Sequence, residues 1–87
     1  MSIRSQREFV TFKHPFRIRT IERLLPEGTY EVLTDDEMIE GLSFAAYRRV
    51  ATMIIVPAAH SAAMEMLSIS SADLAAAQRV DASASDV

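Results

Sequence analysis

The chain has no cysteine. That absence excludes disulfide stapling, thiolate nucleophiles and cysteine-ligated zinc or iron–sulfur centres. Small secreted domains often depend on disulfides, so a chain without them is expected in a reducing compartment, the cytoplasm. Long hydrophobic runs are missing too. None approaches the roughly 20 apolar residues of a spanning helix. The opening Met1-Ser2-Ile3-Arg4-Ser5-Gln6-Arg7-Glu8 is polar and charged where a secretory leader is apolar. No membrane partner is therefore expected. There is no glycine-rich phosphate loop, no internal repeat and no low-complexity tract.

What remains is an 87-residue, 9.7 kDa chain, enough for a single domain. A domain this small buries only roughly 60% of its unfolded surface. Hydrophobic residues make up 49%, but alanine inflates that figure; the large core candidates are four Phe, two Tyr, five Met and the Leu/Ile/Val set. A core this lean can be completed by a second copy of the chain. The net charge of −3 gives no overall attraction to nucleic acid. Its distribution is uneven: Arg4, Arg7, Lys13, Arg17, Arg19 and Arg23 dominate the first quarter. Glu27, Glu31, Asp35, Asp36, Glu37 and Glu40 follow with no intervening base.

The stretch Tyr47–Val56 carries the strongest strand chemistry, β-branched and closed by Pro57. With Leu42–Ala46 as its extended lead-in it would be unusually long, so a bulge or bend is expected near Ala45-Ala46. Strict alternation puts Val50, Thr52, Ile54 and Val56 on one face and Tyr47, Arg49, Ala51, Met53 and Ile55 on the other. Upstream, Phe9–Phe12 reads as extended. Pro15 interrupts it, and Phe16-Arg17-Ile18-Arg19 alternates as a half-buried strand does. Leu24–Gly28 has turn chemistry and Thr29–Thr34 reads as the next strand, making a first hairpin with Phe16–Ile21. Thr34-Asp35-Asp36-Glu37 has the form of a capping box, for one helical turn ended by Gly41 or for a structured acidic loop. Pro57–Ala63 is a hairpin loop and Met64–Ile69 the last strand. Ser70, with Asp73 three residues on, is an N-cap for a helix that puts Leu74 and Ala77 on one face and frays by Asp81. The expected architecture is α+β and mainly β: four to five antiparallel strands in a curled sheet or partly open small barrel, with one C-terminal helix. Residues 1–7 are expected to form a flexible N-terminus, 8–81 a single small domain and 82–87 a disordered tail.

Two segments carry a resemblance: Leu25-Pro26-Glu27-Gly28-Thr29-Tyr30-Glu31-Val32, and Glu40-Gly41-Leu42-Ser43-Phe44-Ala45-Ala46-Tyr47-Arg48-Arg49-Val50-Ala51-Thr52. They resemble a group of short, uncharacterised bacterial proteins built on L-P-x-G-x-Y-x-V and E-G-L-S-F-x-A-Y-R-R segments. Ile69, Asp73 and Leu74 match that group's final helix start. The resemblance spans about Phe9 to Asp81. It implies a shared small fold and no activity, so it carries over no catalytic residue and no cofactor.

Candidate chemistry is sparse. His14 and His60 have no partner at metal-ligand helical spacing, which leaves no metal assignment. Ser43, in Gly41-Leu42-Ser43-Phe44-Ala45, only imitates a nucleophile elbow. Glu37 and Glu40 could pair as acid and base, but their solvated context argues against it. Arg48 and Arg49 beside Tyr47 form the most pointed polar feature. Ion pairing with the Glu27–Glu40 acids is the plainer reading and anion binding the sharper one. Phe9, Phe12 and Phe16 interleaved with Arg7, Lys13, Arg17 and Arg19 have the grammar of a single-strand nucleic-acid platform; the plainer reading puts the aromatics in the core. The sequence therefore favours a non-enzymatic interaction module that binds a protein partner or itself as a homodimer. Arg17, Arg19, Tyr47, Arg48 and Arg49 are its candidate contact residues. A nucleic-acid-binding module is the second reading, and its mark is a basic face that those acids do not interrupt. A small enzyme with a site between subunits is the third.

Overall fold

The computed structural model describes residues 3–41, 43–44 and 46–84. Its elements are β1 (Ile3–Phe12), β2 (Gly28–Ile39), β3 (Ala46–Pro57), β4 (Met64–Ile69) and α1 (Ser71–Ser83). The strands form one open antiparallel sheet in the order β1-β2-β3-β4, a simple meander. The mainly β, α+β expectation holds, with four strands and no closure into a barrel.

The covered face follows from period-2 alternation. Val10 and Phe12 of β1, Tyr30 and Val32 of β2, Ile54 and Val56 of β3 and Ile69 of β4 are all buried on it. Its cover is the excursion 13–27 together with α1. From the excursion come Phe16, Ile18, Ile21 and Leu25; α1 adds Leu74 and Ala77. Phe12 and Phe16 stack with centroids 3.6 Å apart, and Tyr30 meets Phe16 edge-on at 5.2 Å. The Tyr30 hydroxyl donates to the Pro26 carbonyl at 2.5 Å, and burial pushes its pKa up. The L-P-x-G-x-Y-x-V segment is thus core and turn: Leu25 and Val32 are fully buried, and Gly28 opens β2 at φ +148°, a backbone conformation that side-chain-bearing residues rarely adopt.

Several elements differ from the sequence expectation, each for a physical reason. Phe16–Ile21 alternates in burial as expected but is not a strand. β2 is already paired on both edges, by β1 and by β3, so no ladder is free for it. Phe16 instead exchanges two backbone hydrogen bonds with Leu25, at 2.9 and 2.8 Å, and the segment serves as the cover. β1 takes its place in the first hairpin and already begins at Ile3, so residues 3–7 are sheet rather than a loose leader. Thr34-Asp35-Asp36-Glu37 caps no helix: it lies within β2, where bases and a serine from both flanking strands meet its carboxylates. Gly41, at φ +83°, belongs to the β2–β3 connection.

A bulge lies at Val50; Ala45, next to which a bend is expected, lies outside the described residues. Asp35 pairs with Ala51 while Asp36 pairs with Arg49, which leaves Val50 as the extra residue. Below the bulge, Thr52, Ile54 and Val56 face the core as strict alternation requires. Above it the parity flips, and Arg49 moves to the covered side, opposite Asp36.

At the other end of the chain, Pro57–Ala63 closes the last hairpin, with the Ala58 N–H donating to the Ala63 carbonyl at 2.9 Å. The Ser70 hydroxyl accepts from the Ala72 and Asp73 N–H groups as an N-cap does. The helix continues to Ser83, two residues past the expected end. The last part of the expected disordered tail, residues 85–87, lies outside the described residues.

Candidate interaction surface

Among the described residues, none covers the opposite side of the sheet. Register fixes its rows: Arg7, Leu33, Met53 and Ser68 lie side by side across the four strands, and Ser5, Asp35 and Ala51 form the row nearer the β2–β3 turn. On the other flank Phe9 stands opposite Glu31, Ile55 opposite Met66 and Pro57 opposite Met64. Phe9 is 64% exposed, Met64 59% and Met66 54%, with Leu33, Met53 and Ile55 half-buried between them. A shallow depression of about 430 Å³ runs across this region, lined by Phe9, Ile55, Pro57 and Met64 among others. Apolar side chains thus occupy both faces of β3, yet only one face is sealed. Three methionines on one surface give it a polarizable, adaptable lining.

Polar pairs lie within and beside these apolar residues. Arg7 reaches Glu31 at 3.5 Å and Arg48 reaches Glu37 at 3.4 Å. Ser5 donates to Asp35 at 2.7 Å and the hydroxyls of Thr11 and Thr29 are 2.9 Å apart. Glu31 stands between Phe9 and Ile55, so the Arg7–Glu31 pair divides the apolar residues while Glu37–Arg48 lies beyond them; apolar anchors mixed with paired charges are the anatomy of a protein–protein contact.

A second polar assembly sits on the covered side near the β2–β3 turn. Asp36 is the hub. The Arg49 Nε donates to it at 2.6 Å, and Arg4 reaches its other oxygen at 3.4 Å while lying 4.3 Å over the Tyr47 ring. The Arg49 hydrogen bond holds the Asp36 carboxyl below its ordinary pKa; burial opposes that and Arg4 adds to it. The cluster laces β1, β2 and β3 together past the end of the apolar core.

The third assembly is a pin. Asp81, in the last turns of α1, accepts from the backbone N–H groups of Lys13 and His14 at 3.1 and 3.0 Å and from the His14 ring at 3.0 Å. The Lys13 N–H is the main reason its carboxyl titrates below the usual range; burial works against this and His14 with it. The pin fastens the helix to the start of the excursion, joining the two halves of the cover.

The five candidate residues do not form one site. Arg49 and Tyr47 join the Asp36 cluster, the one by its carboxylate and the other through Arg4. Arg48 is turned to the open face with Glu37. Arg17 and Arg19 are exposed on the excursion, with no ion-pair partner among the described residues. Both Tyr47-flanking arginines therefore take the plainer reading, pairing with β2 acids. The basic first quarter and the acidic second quarter also meet within one chain, because β1 lies antiparallel to β2. Among the described residues no three of His, Asp and Glu cluster as metal ligands, and no helix is long and apolar enough to cross a membrane.

Sequence reasoning missed Asp36 and Asp81 as hubs and Phe9, Met64 and Met66 as one surface. For Met64 and Met66 a signal existed: in Met64–Ile69 the large apolar side chains alternate onto the face opposite Ile69. No family profile, curated protein or solved structure matches the chain.

Proposed function

We propose that the chain is a non-enzymatic interaction module whose working surface is the open face of its sheet, covered in use by protein. One observation carries the reading: exposed or half-buried Phe9, Leu33, Met53, Ile55, Met64 and Met66 share one sheet face, interrupted by the Arg7–Glu31 pair, on a domain whose other sheet face is sealed. Apolar surface gathered on one face of a small domain marks a contact site. Against the nucleic-acid reading, Phe12 and Phe16 are buried in the core and Glu31 and Asp36 pair with Arg7 and Arg4; Arg17 and Arg19 stay exposed. The enzyme reading draws little from the polar assemblies: Asp36 is taken up by Arg49 and Arg4, and Asp81, which lines a cavity of about 370 Å³ with His14, Arg17 and Leu24, is taken up there by the Lys13 and His14 N–H groups.

The test is the native mass of the tagged chain in extract from its source cells, beside that of a Phe9→Asp/Met66→Asp double variant. The reading expects the parent chain to migrate well above 9.7 kDa and the variant to migrate as a folded monomer. A parent chain that migrates at its monomer mass in extract overturns it.

A further inference from the structure

The open face has a size, a shape and a charge pattern, and together they select an occupant. We propose that a second copy of the chain covers it, the two sheets packing face to face about a twofold axis that runs along the strands, with β1 of one protomer over β4 of its partner. The inference rests on the open face being the contact surface and names what sits there.

Size is the first argument. The chain exposes 6061 Å², whereas a compact monomer of its mass exposes about 5,100 Å². The surplus of about 900 Å² belongs to the slab as a whole; a standard interface takes roughly 800 Å² from each partner. The radius of gyration, 15.3 Å, likewise exceeds the roughly 12 Å of a compact domain this long. With extents of 51 × 32 × 19 Å the molecule is a slab one sheet and one cover thick. Stacking two slabs through the uncovered faces gives a sandwich with sheets about 10 Å apart, a gap that phenylalanine and methionine side chains span.

The charges and side chains fix the axis. A twofold along the strands exchanges β1 with β4 and β2 with β3 between layers. Phe9 then lies over the partner's Met64 and Met66, a sulfur–aromatic contact made twice. Glu37 on β2 lies over the partner's Arg48 on β3, so each 3.4 Å intrachain pair gains an opposite pair across the axis. A twofold across the strands would set every strand over its own copy. Centred on the Arg7–Leu33 row, it would bring Arg7 against the partner's Arg7 and leave the Glu37–Arg48 end over the threonines Thr11 and Thr29. Edge-to-edge pairing through β1 is opposed by the charged side chains of Arg4, Arg7 and Glu8 along that edge.

The experiment has two readouts. Sedimentation equilibrium of the purified chain from micromolar to millimolar concentration should give twice 9.7 kDa, falling to the monomer mass on dilution. The Phe9→Asp/Met66→Asp variant should stay monomeric with an unchanged far-ultraviolet circular dichroism spectrum. The chain has no cysteine, so Phe9→Cys and Met66→Cys proteins carry single thiols. Mixed and oxidised, they should form the heterodisulfide in clear excess over either homodisulfide. Three results would overturn the inference: a monomer mass at every concentration, a dimer that survives the double variant, or homodisulfides from Phe9→Cys in excess. A purified monomer that still migrates as a complex in cell extract would overturn the second copy alone and leave the open-face reading intact; a monomer in both would remove both.

Discussion

The two faces of the sheet are made by the same strands and by the same alternation, yet they end in different states. On one, Val10, Phe12, Tyr30, Val32, Ile54 and Val56 are sealed by 15 residues of excursion and a helix that Asp81 pins in place. On the other, Phe9, Met64 and Met66 are exposed and Leu33, Met53 and Ile55 half-buried, with no second layer over them among the described residues. The difference lies not in the strands but in the supply of cover. Among the described residues, the excursion and the helix both lie on the first face. A small domain with two apolar sheet faces is therefore half of a core, and the sealed half must carry its stability alone.

The largest effect should separate neighbours on one strand. Ile54→Ala, at a fully buried position, is expected to cost about 3–4 kcal/mol, enough to unfold much of the population. Ile55→Ala, on the open face, should cost about 1 kcal/mol in dilute protein. Urea titrations of the two variants measure the contrast, and equal costs would mean that the faces are not different.

A second effect concerns how the cover is held. Asp81→Asn should lower the denaturation midpoint, since the Lys13 and His14 N–H groups lose their charged acceptor. The sign of the pH dependence follows from the direction of the shifts. Asp81 and Asp36 both have depressed folded-state values, so each contributes stability that is complete above the unfolded carboxylate range, near pH 4. That contribution is lost as pH falls through the still lower folded values. Acid titration of the parent chain should show this loss, and Asp81→Asn should flatten part of it. A variant with the parent's acid profile would show that the pin contributes nothing.

Two smaller effects sharpen the boundary of the sealed face. The Thr52 hydroxyl is buried there without a hydrogen-bond partner, opposite Thr34. Thr52→Val is expected to be neutral or stabilising by up to about 1 kcal/mol, measured by thermal unfolding. Phe9→Asp/Met66→Asp should change the stability of the dilute monomer by no more than about 0.5 kcal/mol, since both side chains already face water. A large loss would mean that they belong to the core after all.

Much of this was legible in the sequence. Met64–Ile69, the Ser70 cap, the Pro57–Ala63 connection and the two-faced character of Ile54 and Ile55 all follow from local patterns. Local patterns failed where a distant partner decides the outcome. Thr34–Glu37 satisfies every rule for a capping box, and three cross-strand bases outbid the helix. Phe16–Ile18 alternates like a strand, but whether a ladder is free depends on β3, some thirty residues away. The bulge at Val50 turns Arg49 towards Asp36, and no residue near Val50 announces it. The place of Phe9 on the open face was hidden for the same reason. Phe9 sits in an aromatic, basic segment that looks like core or nucleic-acid platform until register places it on the side opposite Phe12.

The most direct test of the account is the oxidation rate of Met64 and Met66, read by mass spectrometry after brief peroxide treatment of dilute purified protein and of the same chain at its concentration in intact cells. The account predicts oxidation near the rate of free methionine in the dilute sample and marked protection of both residues in cells. Equal, fast oxidation in both settings would show that the open face stays open at work, and would contradict it.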